Sequence, residues 1–532
     1  MKAQDLKNSI LQMAVQGKLA PQDPADEPAS VLLERIREER AELVRQKKAK
    51  APKGGESVIY RDGGSWYECR GESEPACIDE EIPFDIPDSW EWARLENVTI
   101  YIQRGKSPKY SPIKKYPVVA QKCNQWSGFS IEKAQFIDPD TVERYTDERI
   151  LREGDLMWNS TGLGTLGRMA IYRSSANPYG WAVADSHVTV IRTQEHWLNY
   201  QFAFDYFTGP SVQLVIEDQA SGSTKQKELA QETVKNYLIP IPPLAEQRRI
   251  VDRVDELMPL VEEYGELEDT REALDAALPD RLRKSILQMA VQGKLAPQDP
   301  ADEPASALLE RIREERAELI KQKKIKAPKG GESVIYREGG SWYERRGKSD
   351  PACIDDEIPF EIPESWTWCR LREVVDIQLG KMLDKAKNTG MPVSYLGNAN
   401  VQWGYFNLNE VKTMKLSEAD LIRFKLKKGD LIVCEGGVPG RCAIWNREED
   451  MWYQKALHRL RPLLEEISIE YCSIFIEWAV KTNVFPSSFT GSTIKHLPAR
   501  NLESWLIPLP PDSEQRRIVA TVGKSVACFE EN

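Results

Sequence analysis

The chain contains one stretch twice: Ser9-Ile-Leu-Gln-Met-Ala-Val-Gln-Gly-Lys-Leu-Ala-Pro-Gln-Asp-Pro24 returns unchanged as residues 285–300. The repeat extends well beyond this stretch, because residues 9–98 and 285–374 agree at most positions. A duplication of this length indicates two copies of one structural unit in the chain.

A second shared stretch closes each copy. It reads Pro242-Pro-Leu-Ala-Glu-Gln-Arg-Arg-Ile-Val251 in the first copy and Pro510-Pro-Asp-Ser-Glu-Gln-Arg-Arg-Ile-Val519 in the second. Between the repeated parts lie two inserts, residues 99–221 and 375–490, which share little identity. A repeated frame around two different inserts predicts one scaffold that carries two separately specified recognition units.

The two inserts still share short motifs, so we expect them to have the same fold and to differ in surface residues. The matches are Ile102-Gln103 with Ile377-Gln378, Gly105-Lys106 with Gly380-Lys381, Gln125-Trp126 with Gln402-Trp403, Gly154-Asp155-Leu156 with Gly429-Asp430-Leu431, Gly167-Arg168 with Gly440-Arg441, and Gly222-Ser223-Thr224 with Gly491-Ser492-Thr493.

The inserts combine two kinds of local pattern. Apolar, β-branched runs at residues 116–120, 186–191 and 431–434 predict strands. The stretches 198–207 and 467–481 predict helices. Each insert is therefore predicted to be a mixed α/β unit.

The segment between the inserts predicts a helical frame. Apolar residues there follow the 4-3-4-3 spacing of a helix-pair seam. These residues are Ile250, Val254, Leu257, Val261 and Tyr264. Pro259 and Pro279 interrupt the pattern, so we expect kinks or breaks there. By the repeat register, the N- and C-terminal segments correspond to the two ends of a second frame, which makes the repeat circularly permuted.

The composition is that of a globular protein. With 532 residues, 41% hydrophobic and 29% charged, the chain should form about three or four structural units. The formal net charge of −11 gives no overall basic character, so contact with nucleic acid would require local basic patches.

The nine cysteines include no Cys-x-x-Cys pair, which favours reduced thiols in a cytoplasmic protein. No apolar run has the length of a membrane span, so we expect no membrane contact.

One local basic patch is present in the first insert. Residues 97–131 contain no acid. They contain the basic residues Arg104, Lys106, Lys109, Lys114, Lys115 and Lys122, among which lie Tyr101, Tyr110, Tyr116 and Trp126. A solvated basic loop is one interpretation. A surface that contacts phosphates fits better, because cations near a nucleic-acid backbone release counterions.

A search for catalytic motifs gives no complete set. Residues 162–167 fit G-x-G-x-x-G, but residues 168–172 read as a strand, so a glycine-rich turn is expected instead of a cofactor loop. There is no Walker motif, and no metal-nuclease cluster stands out. His187 and His458 are predicted to lie on matching strands in a structural role, with a DNA-facing role left open; no neighbouring Ser or Cys would make either a catalytic base.

Several stretches together identify a family resemblance. They are Ile82-Pro-Phe-Asp-Ile-Pro-Asp-Ser-Trp90 with its copy, Gly154-Asp-Leu-Met-Trp-Asn-Ser-Thr-Gly162, Gly222-Ser-Thr224, Ile239-Pro-Ile-Pro-Pro-Leu-Ala-Glu-Gln-Arg248 and Ser285-Ile-Leu-Gln-Met-Ala-Val-Gln-Gly-Lys294. In these motifs, and over nearly its whole length, the chain resembles the specificity subunit of type I restriction–modification systems.

The resemblance implies a non-catalytic, cytoplasmic subunit that reads double-stranded DNA. Each insert would be a target-recognition domain for half of a split DNA sequence. The helical frames would pair antiparallel, fix the distance between the half-sites and dock two methyltransferase (M) subunits and the restriction/motor (R) subunits. S-adenosylmethionine, ATP and Mg²⁺ would act through those partners, and this chain itself would bind no cofactor or metal.

The resulting fold class is α+β: two globular mixed α/β recognition domains, separated by long antiparallel helices in a pseudo-twofold, circularly permuted repeat. The predicted parts are the N-terminal part of the distal helical frame (1–50), a linker (51–80), recognition domain 1 (81–245), the central helical frame or spacer (246–326), a linker (327–356), recognition domain 2 (357–513) and the C-terminal helix of the distal frame (514–532).

The candidate DNA-binding residues are basic, hydroxyl or amide side chains at the motifs above. In the first domain they are Arg104, Lys106, Lys109, Lys122, Asn124, Gln125, Ser160, Thr161, Arg168, Ser223, Thr224 and Lys225. In the second they are Lys381, Asn398, Asn400, Gln402, Arg441, Ser492, Thr493 and Lys495. The amides suit bidentate contacts with base edges.

Two other functions stay open at this stage. One is a self-contained DNA methyltransferase or nuclease, which would modify DNA without partners. The other is a helical scaffold that does not bind DNA. The sequence does not give the half-site sequences or the length of the gap between them.

Overall fold

The computed structural model describes residues 2–46, 48–162, 164–223, 226–328, 330–384 and 388–530. It divides into two compact units, Met1–Glu272 and Ala273–Asn532. Each unit contains one copy of the repeated frame and one insert, as the duplication predicts.

The first unit begins with frame elements. They are helices α1 (Ala3–Val15) and α2 (Ala29–Arg45) and strands β1 (Ser57–Asp62), β2 (Ser65–Arg70) and β3 (Ala76–Cys77). The strands form a three-stranded antiparallel sheet. The prediction of a linker at 51–80 is therefore wrong. Ile59, Trp66 and Ile78 are buried, and this burial stabilises a small sheet despite the glycine-rich, charged composition.

The first recognition domain is the mixed α/β unit that the insert pattern predicts. Its strands are β4 (Glu91–Arg94), β5 (Tyr101–Arg104), β6 (Pro117–Val119), β7 (Asn124–Gln125), β8 (Gly128–Phe129), β9 (Gln135–Phe136), β10 (Leu156–Asn159), β11 (Met169–Ile171), β12 (Val183–Ala184), β13 (Val188–Arg192), β14 (Ser221–Ser223), β15 (Gln226–Glu228) and β16 (Leu238–Ile241). Its helices are α3 (Tyr200–Thr208), α4 (Pro210–Gln213) and α5 (Gln231–Lys235).

The helical frame continues as α6 (Leu244–Val291) and α7 (Ala305–Lys321). The α6 helix is continuous over 48 residues, so the breaks considered at Pro259 and Pro279 do not occur. A proline inside a helix costs about 3 kcal/mol. Burial of α6 side chains in the core of each unit, such as Ile250 in the first and Leu287 in the second, offsets that cost.

The second unit repeats the same plan. Its strands are β17 (Ser333–Glu338), β18 (Ser341–Arg346), β19 (Ala352–Cys353), β20 (Thr367–Arg370), β21 (Val375–Leu379), β22 (Met391–Leu396), β23 (Lys412–Leu416), β24 (Asp430–Cys434), β25 (Cys442–Trp445), β26 (Trp452–Tyr453), β27 (Leu457–Pro462) and β28 (Leu506–Leu509). Its helices after α7 are α8 (Leu371–Val374), α9 (Glu418–Arg423), α10 (Ile469–Lys481), α11 (Ala499–Glu503) and α12 (Asp512–Glu530). The prediction of a linker at 327–356 is also wrong, because β17, β18 and β19 form a sheet there.

The sheets show that the two inserts share a fold, as their short motifs predict. In the first domain a four-stranded antiparallel sheet has the order β11-β10-β13-β5, and in the second the order is β25-β24-β27-β21. A three-stranded sheet, β12-β6-β9, has its counterpart in β26-β22-β23. Two-stranded sheets, β4–β16 and β20–β28, join the start of each domain to its end.

Candidate nucleic-acid interface

The shared Glu-Gln-Arg-Arg motif attaches each recognition domain to the frame. Glu246 accepts a hydrogen bond from the indole of Trp90 at 3.0 Å, and Glu514 accepts one from Trp366 at 2.8 Å. Burial raises the pKa of both carboxyl groups. Trp90 and Trp366 lie just before β4 and β20, the first strands of the two domains. Each Trp–Glu hydrogen bond therefore links the start of a domain to a frame helix.

The next residue of the motif fixes a helix start. Gln247 accepts from the backbone N–H of Asn199 at 2.8 Å and donates to the carbonyl of Pro242 at 3.0 Å. Gln515 repeats both contacts, with Ser468 and with a proline carbonyl. A fully buried amide that satisfies backbone groups on two elements aligns them in one geometry.

Because the four strands run antiparallel, several loops lie close together at one end of the sheet. Arg104 at the end of β5 pairs with Thr189 at the start of β13, and Asn159 at the end of β10 pairs with Val188. Arg168 lies just before β11, which also begins at this edge. The β14–β15 hairpin joins through a bridge between Thr161 and Glu228. We call these segments, residues 104–107, 121–122, 160–162, 164–168, 186–187, 221–223 and 226–228, the domain 1 edge.

The second domain has the same edge. Lys381 follows β21, Gly436 follows β24, and Arg441 precedes β25. The loop 490–496 takes the place of the β14–β15 hairpin, with bridges from His496 to Gly436 and to Thr490. We call residues 379–383, 398–399, 435–441, 455–456 and 490–496 the domain 2 edge.

Close backbone approach shapes both edges. A Cβ atom on Gly105 would lie 2.1 Å from the carbonyl oxygens of Ala184 and Asp185, and one on Gly380 would lie 2.3 Å from that of Gln454. The N–H of Gly105 donates to the carbonyl of Val188 at 3.0 Å. Only glycine fits at these two positions, which explains the glycine of the shared Gly-Lys motif.

The basic residues of the first domain differ in their ion-pair and hydrogen-bond partners. Arg104 forms an ion pair with Glu228. Lys109 pairs with Asp138 at 2.7 Å, and this hydrogen bond lowers the pKa of Asp138. Lys106 is exposed and donates to the carbonyl of Arg144 at 3.2 Å. Lys122 is exposed at the same edge. Among the described candidate cations of the domain 1 edge, Lys106 and Lys122 are the exposed ones that form no ion pair with a described residue.

Three predicted contacts are corrected by burial. Asn124 and Ser160 are 0% exposed and Asn400 is 8% exposed. The amide of Asn124 donates to Met157 and Asn159 at 3.0 and 2.9 Å. The amide of Asn400 donates to two carbonyls and accepts from Gly397. Ser160 bonds to Thr189. These residues form hydrogen bonds inside their own domains, and their side chains are buried.

One arginine–glutamine pair occurs in both domains. Arg168 donates to Gln125 at 3.3 Å and lies over the exposed ring of Trp126 at 5.7 Å. Arg441 donates to Gln402 at 3.2 Å and to the carbonyl of Asn398 at 2.8 Å. All four partners are half-buried, so this pair holds the β7 loop and its counterpart in place.

The remaining predicted residues of the second domain lie near its edge. Lys381 pairs with Asp420 at 2.6 Å, which lowers the pKa of that carboxyl. Asn398 is half-buried, while Ser492, Thr493 and Lys495 are exposed on loop 490–496. His496 contacts Glu435 at 3.1 Å. In the first domain Ser223 lies on β14, and Thr224 and Lys225 lie outside the described residues.

The two histidines do not occupy matching positions. The strand register aligns His458 with Thr189, because they pair with Leu379 and Arg104 at the ends of β21 and β5. His458 is fully buried, bonds to the carbonyl of Leu497 at 2.8 Å, and has a pKa lowered by burial. His187 lies before β13 and is exposed.

Sequence reasoning missed three residues that the fold brings into the domain 1 edge. Gln121 and Thr161 are hydrogen-bonded, and Thr161 contacts His187 Nδ1 at 2.8 Å. Ser107 donates to Ser186 at 3.0 Å. Thr161 was a candidate, and a DNA-facing role was left open for His187. Gln121, Ser107 and Ser186 have no motif, and pairing between distant strands brings them to this edge.

The glycine-rich segment is a turn, as predicted. Gly162, Gly164 and Gly167 have φ values of +94°, +75° and +81°, and β11 follows without a helix.

In the described part of the chain no cluster of three or more His, Cys, Asp or Glu residues is arranged to hold a metal ion. None of the described helices is long and apolar enough to cross a membrane.

Comparison with known proteins gives a consistent result. The family described as "Type I restriction modification DNA specificity domain" matches residues 87–264 and 363–530. The chain is 28% identical to the type I restriction enzyme EcoAI specificity subunit of Escherichia coli, over 98% of this chain and 88% of that protein. It is 27% identical to the EcoEI specificity subunit of Escherichia coli, over 97% and 88%.

A solved structure is also similar. The crystal structure of the HsdS subunit from Thermoanaerobacter tengcongensis is 19% identical, covers 85% of this chain and 93% of its own, and has a TM-score of 0.43. The family match spans most of both recognition domains, the first part of α6 and all of α12. The chain therefore belongs to the family of type I restriction–modification DNA specificity proteins.

Proposed function

We propose that this chain is the DNA specificity subunit of a type I restriction–modification complex and reads a bipartite target with its two recognition domains. The observation that carries the proposal is the paired edge. Two domains of one fold present the same set of loops, but with different side chains at the tips. Two half-sites with different sequences require this combination.

The chain acts with partners in this proposal. Two methyltransferase subunits and the restriction/motor subunits supply S-adenosylmethionine, ATP and Mg²⁺ chemistry in the cytoplasm, and this chain binds no cofactor and catalyses no reaction. The repeated frame supports two equivalent partners, because its nearly identical sequence occurs once in each unit.

A domain exchange tests the proposal. Arg94 and Leu238 are paired on neighbouring strands at the ends of the first domain, so residues 95–237 can be replaced without separating the frame. With both partner subunits present, the exchange should change one half of the methylated motif. The matched exchange of residues 371–505, bounded by the Arg370–Leu506 pair, should change the other half.

Three results would contradict the proposal. An exchange that alters both halves or neither would rule out independent reading by each domain. Methylation or cleavage of DNA by the purified chain alone, with S-adenosylmethionine or Mg²⁺ added, would instead show a self-contained enzyme. Binding that is indifferent to DNA sequence and to salt, with partners present, would favour the scaffold.

A further inference from the structure

Three side chains at the domain 1 edge form a hydrogen-bonded chain. The amide of Gln121 donates to Thr161 Oγ1 at 2.9 Å, and Thr161 Oγ1 lies 2.8 Å from His187 Nδ1. A hydroxyl has one proton to donate. Because Thr161 Oγ1 accepts from Gln121, its own proton is available for His187 Nδ1.

With Thr161 as the donor to Nδ1, this chain defines the tautomer of His187. When Nδ1 accepts, the neutral imidazole carries its proton on Nε2. The ring then presents an N–H donor on the side away from Thr161. His187 is exposed, so this donor is available to a ligand.

The backbone of His187 is fixed at both ends. Its N–H donates to the Asp185 carboxylate at 2.8 Å, and its carbonyl accepts from the N–H of Ser160 at 2.9 Å. Asp185 and Ser160 are both buried. A side chain on a fixed backbone loses little further freedom when it binds, which favours recognition of a defined atom.

The second domain provides a comparison at the same positions. The N–H of Glu435 donates to the carbonyl of Ala456 at 2.8 Å, which matches the Ser160 to His187 contact. Strand pairing likewise aligns Gln121 with Asn398 and Thr161 with Gly436. Gly436 and Ala456, the counterparts of Thr161 and His187, have no polar side chain. The three-residue hydrogen-bonded chain is therefore specific to the first domain.

We propose that His187 reads a base in the first half-site through its Nε2–H, and that Thr161 and Gln121 are positioning residues that fix its tautomer. The inference rests on the proposed function. In the major groove the acceptors for such a donor are N7 and O6 of guanine, N7 of adenine and O4 of thymine, whereas cytosine offers an N–H donor. His187 should therefore reject cytosine at one position of one strand.

The test uses the complete complex and a set of DNAs in which each base of both half-sites is varied in turn. His187→Ala should reduce discrimination against cytosine at one position of the first half-site by about tenfold, the size of one hydrogen bond. Preferences at every position of the second half-site should stay unchanged. A uniform loss across all sequences, or an unaltered preference at every position, would overturn the proposal.

Two variants of Thr161 separate positioning from packing. Thr161→Val removes the hydroxyl and should relax the same base position, while Thr161→Ser should restore it. Nitrogen NMR of the His187 ring should show the proton on Nε2 in the parent and a tautomer mixture in Thr161→Val. A proton on Nδ1 in the parent would contradict the proposed direction of the chain.

The exchange of residues 95–237 keeps the two proposals distinguishable. If that exchange changes the first half-site but His187→Ala has no effect at any base, the base-reading role fails and the proposed function stands. If the exchange changes neither half-site, the proposed function fails as well. Lys122→Ala is the control on the same edge, because it should weaken binding to all sequences alike.

Discussion

Arg192 on β13 donates two hydrogen bonds to Asp155 just before β10, both at 2.7 Å. Their side chains are 9% and 0% exposed. Arg461 and Asp430 form the same bidentate pair at the same distances in the second domain, where the arginine side chain is 32% exposed. The Gly-Asp-Leu motif shared by the inserts thus supplies an internal anchor at the end of the sheet opposite the domain 1 and domain 2 edges.

Removing the carboxylate should destabilise the first domain more than the second. Asp155→Asn leaves a buried guanidinium without its counter-charge, a change that costs about 3–5 kcal/mol. Asp430→Asn should cost less, because Arg461 can reach water. Denaturant unfolding followed by tryptophan fluorescence measures both variants, and an equal loss in the two domains would contradict this explanation.

Acid should weaken the contact between sheet β17–β18 and its domain. Burial opposes ionisation of Glu344, but hydrogen bonds from Arg346, Arg370 and Ser333 outweigh it and lower its pKa to about 2. An unfolded glutamate has a pKa of about 4.3. The stabilisation is therefore present above about pH 4.3 and disappears as the pH falls towards 2. Glu344→Gln should lower the free energy of unfolding at pH 6, and this difference should shrink on acidification.

A difference between the two copies of the repeat predicts that the stability of the second unit falls as the pH rises. Asn97 donates to the carbonyl of Ser57 at 2.6 Å, and the repeat places Glu373 at the same position. Burial raises the pKa of Glu373 to about 7, above the value in the unfolded chain. Stability should fall as the pH rises from about 4.3 to 7 and stay lower beyond that. Glu373→Gln should stabilise the second unit at pH 8 and have little effect at pH 4, as measured by thermal unfolding; equal effects at both pH values would contradict it.

Phosphate contacts should appear in the salt dependence of binding. Lys106→Ala combined with Lys122→Ala should weaken binding to all DNA sequences alike and reduce the slope of log K against log salt by about 2. Arg104→Ala with Lys106→Ala should flatten the slope less, because Arg104 already pairs with Glu228. A loss confined to one base position would show base reading by these cations instead.

Local pattern was sufficient to predict much of the fold. Apolar, β-branched runs predicted β6, β13 and β24, whose residues are all buried. Apolar stretches likewise predicted α3 and α10, which bury most of their residues. The sheets at 57–77 and 333–353 were missed because glycine and charge dominate their composition. A signal was present, however: Gly63-Gly64 and Gly339-Gly340, flanked by β-branched and aromatic residues, are typical of a hairpin turn.

The site was harder to predict, for a physical reason. Whether an amide faces solvent depends on strand register and on contacts between distant residues, which spacing does not reveal. Asn124 and Gln125 are neighbours, yet one is fully buried and the other half-buried beside Arg168. His187 likewise has no motif; only the pairing of β10 with β13 brings it beside Thr161.

The loops of both edges are held by main-chain contacts, such as Ser160 to His187 and Glu435 to Ala456. Such bonds are indifferent to which side chain occupies the tip. The side chains at the loop tips can therefore be replaced one at a time without a large loss of folding stability. His187 in the first domain and Ala456 at the matching position of the second are an example. In evolutionary terms, the architecture allows the loop-tip side chains to change while the folded protein is retained.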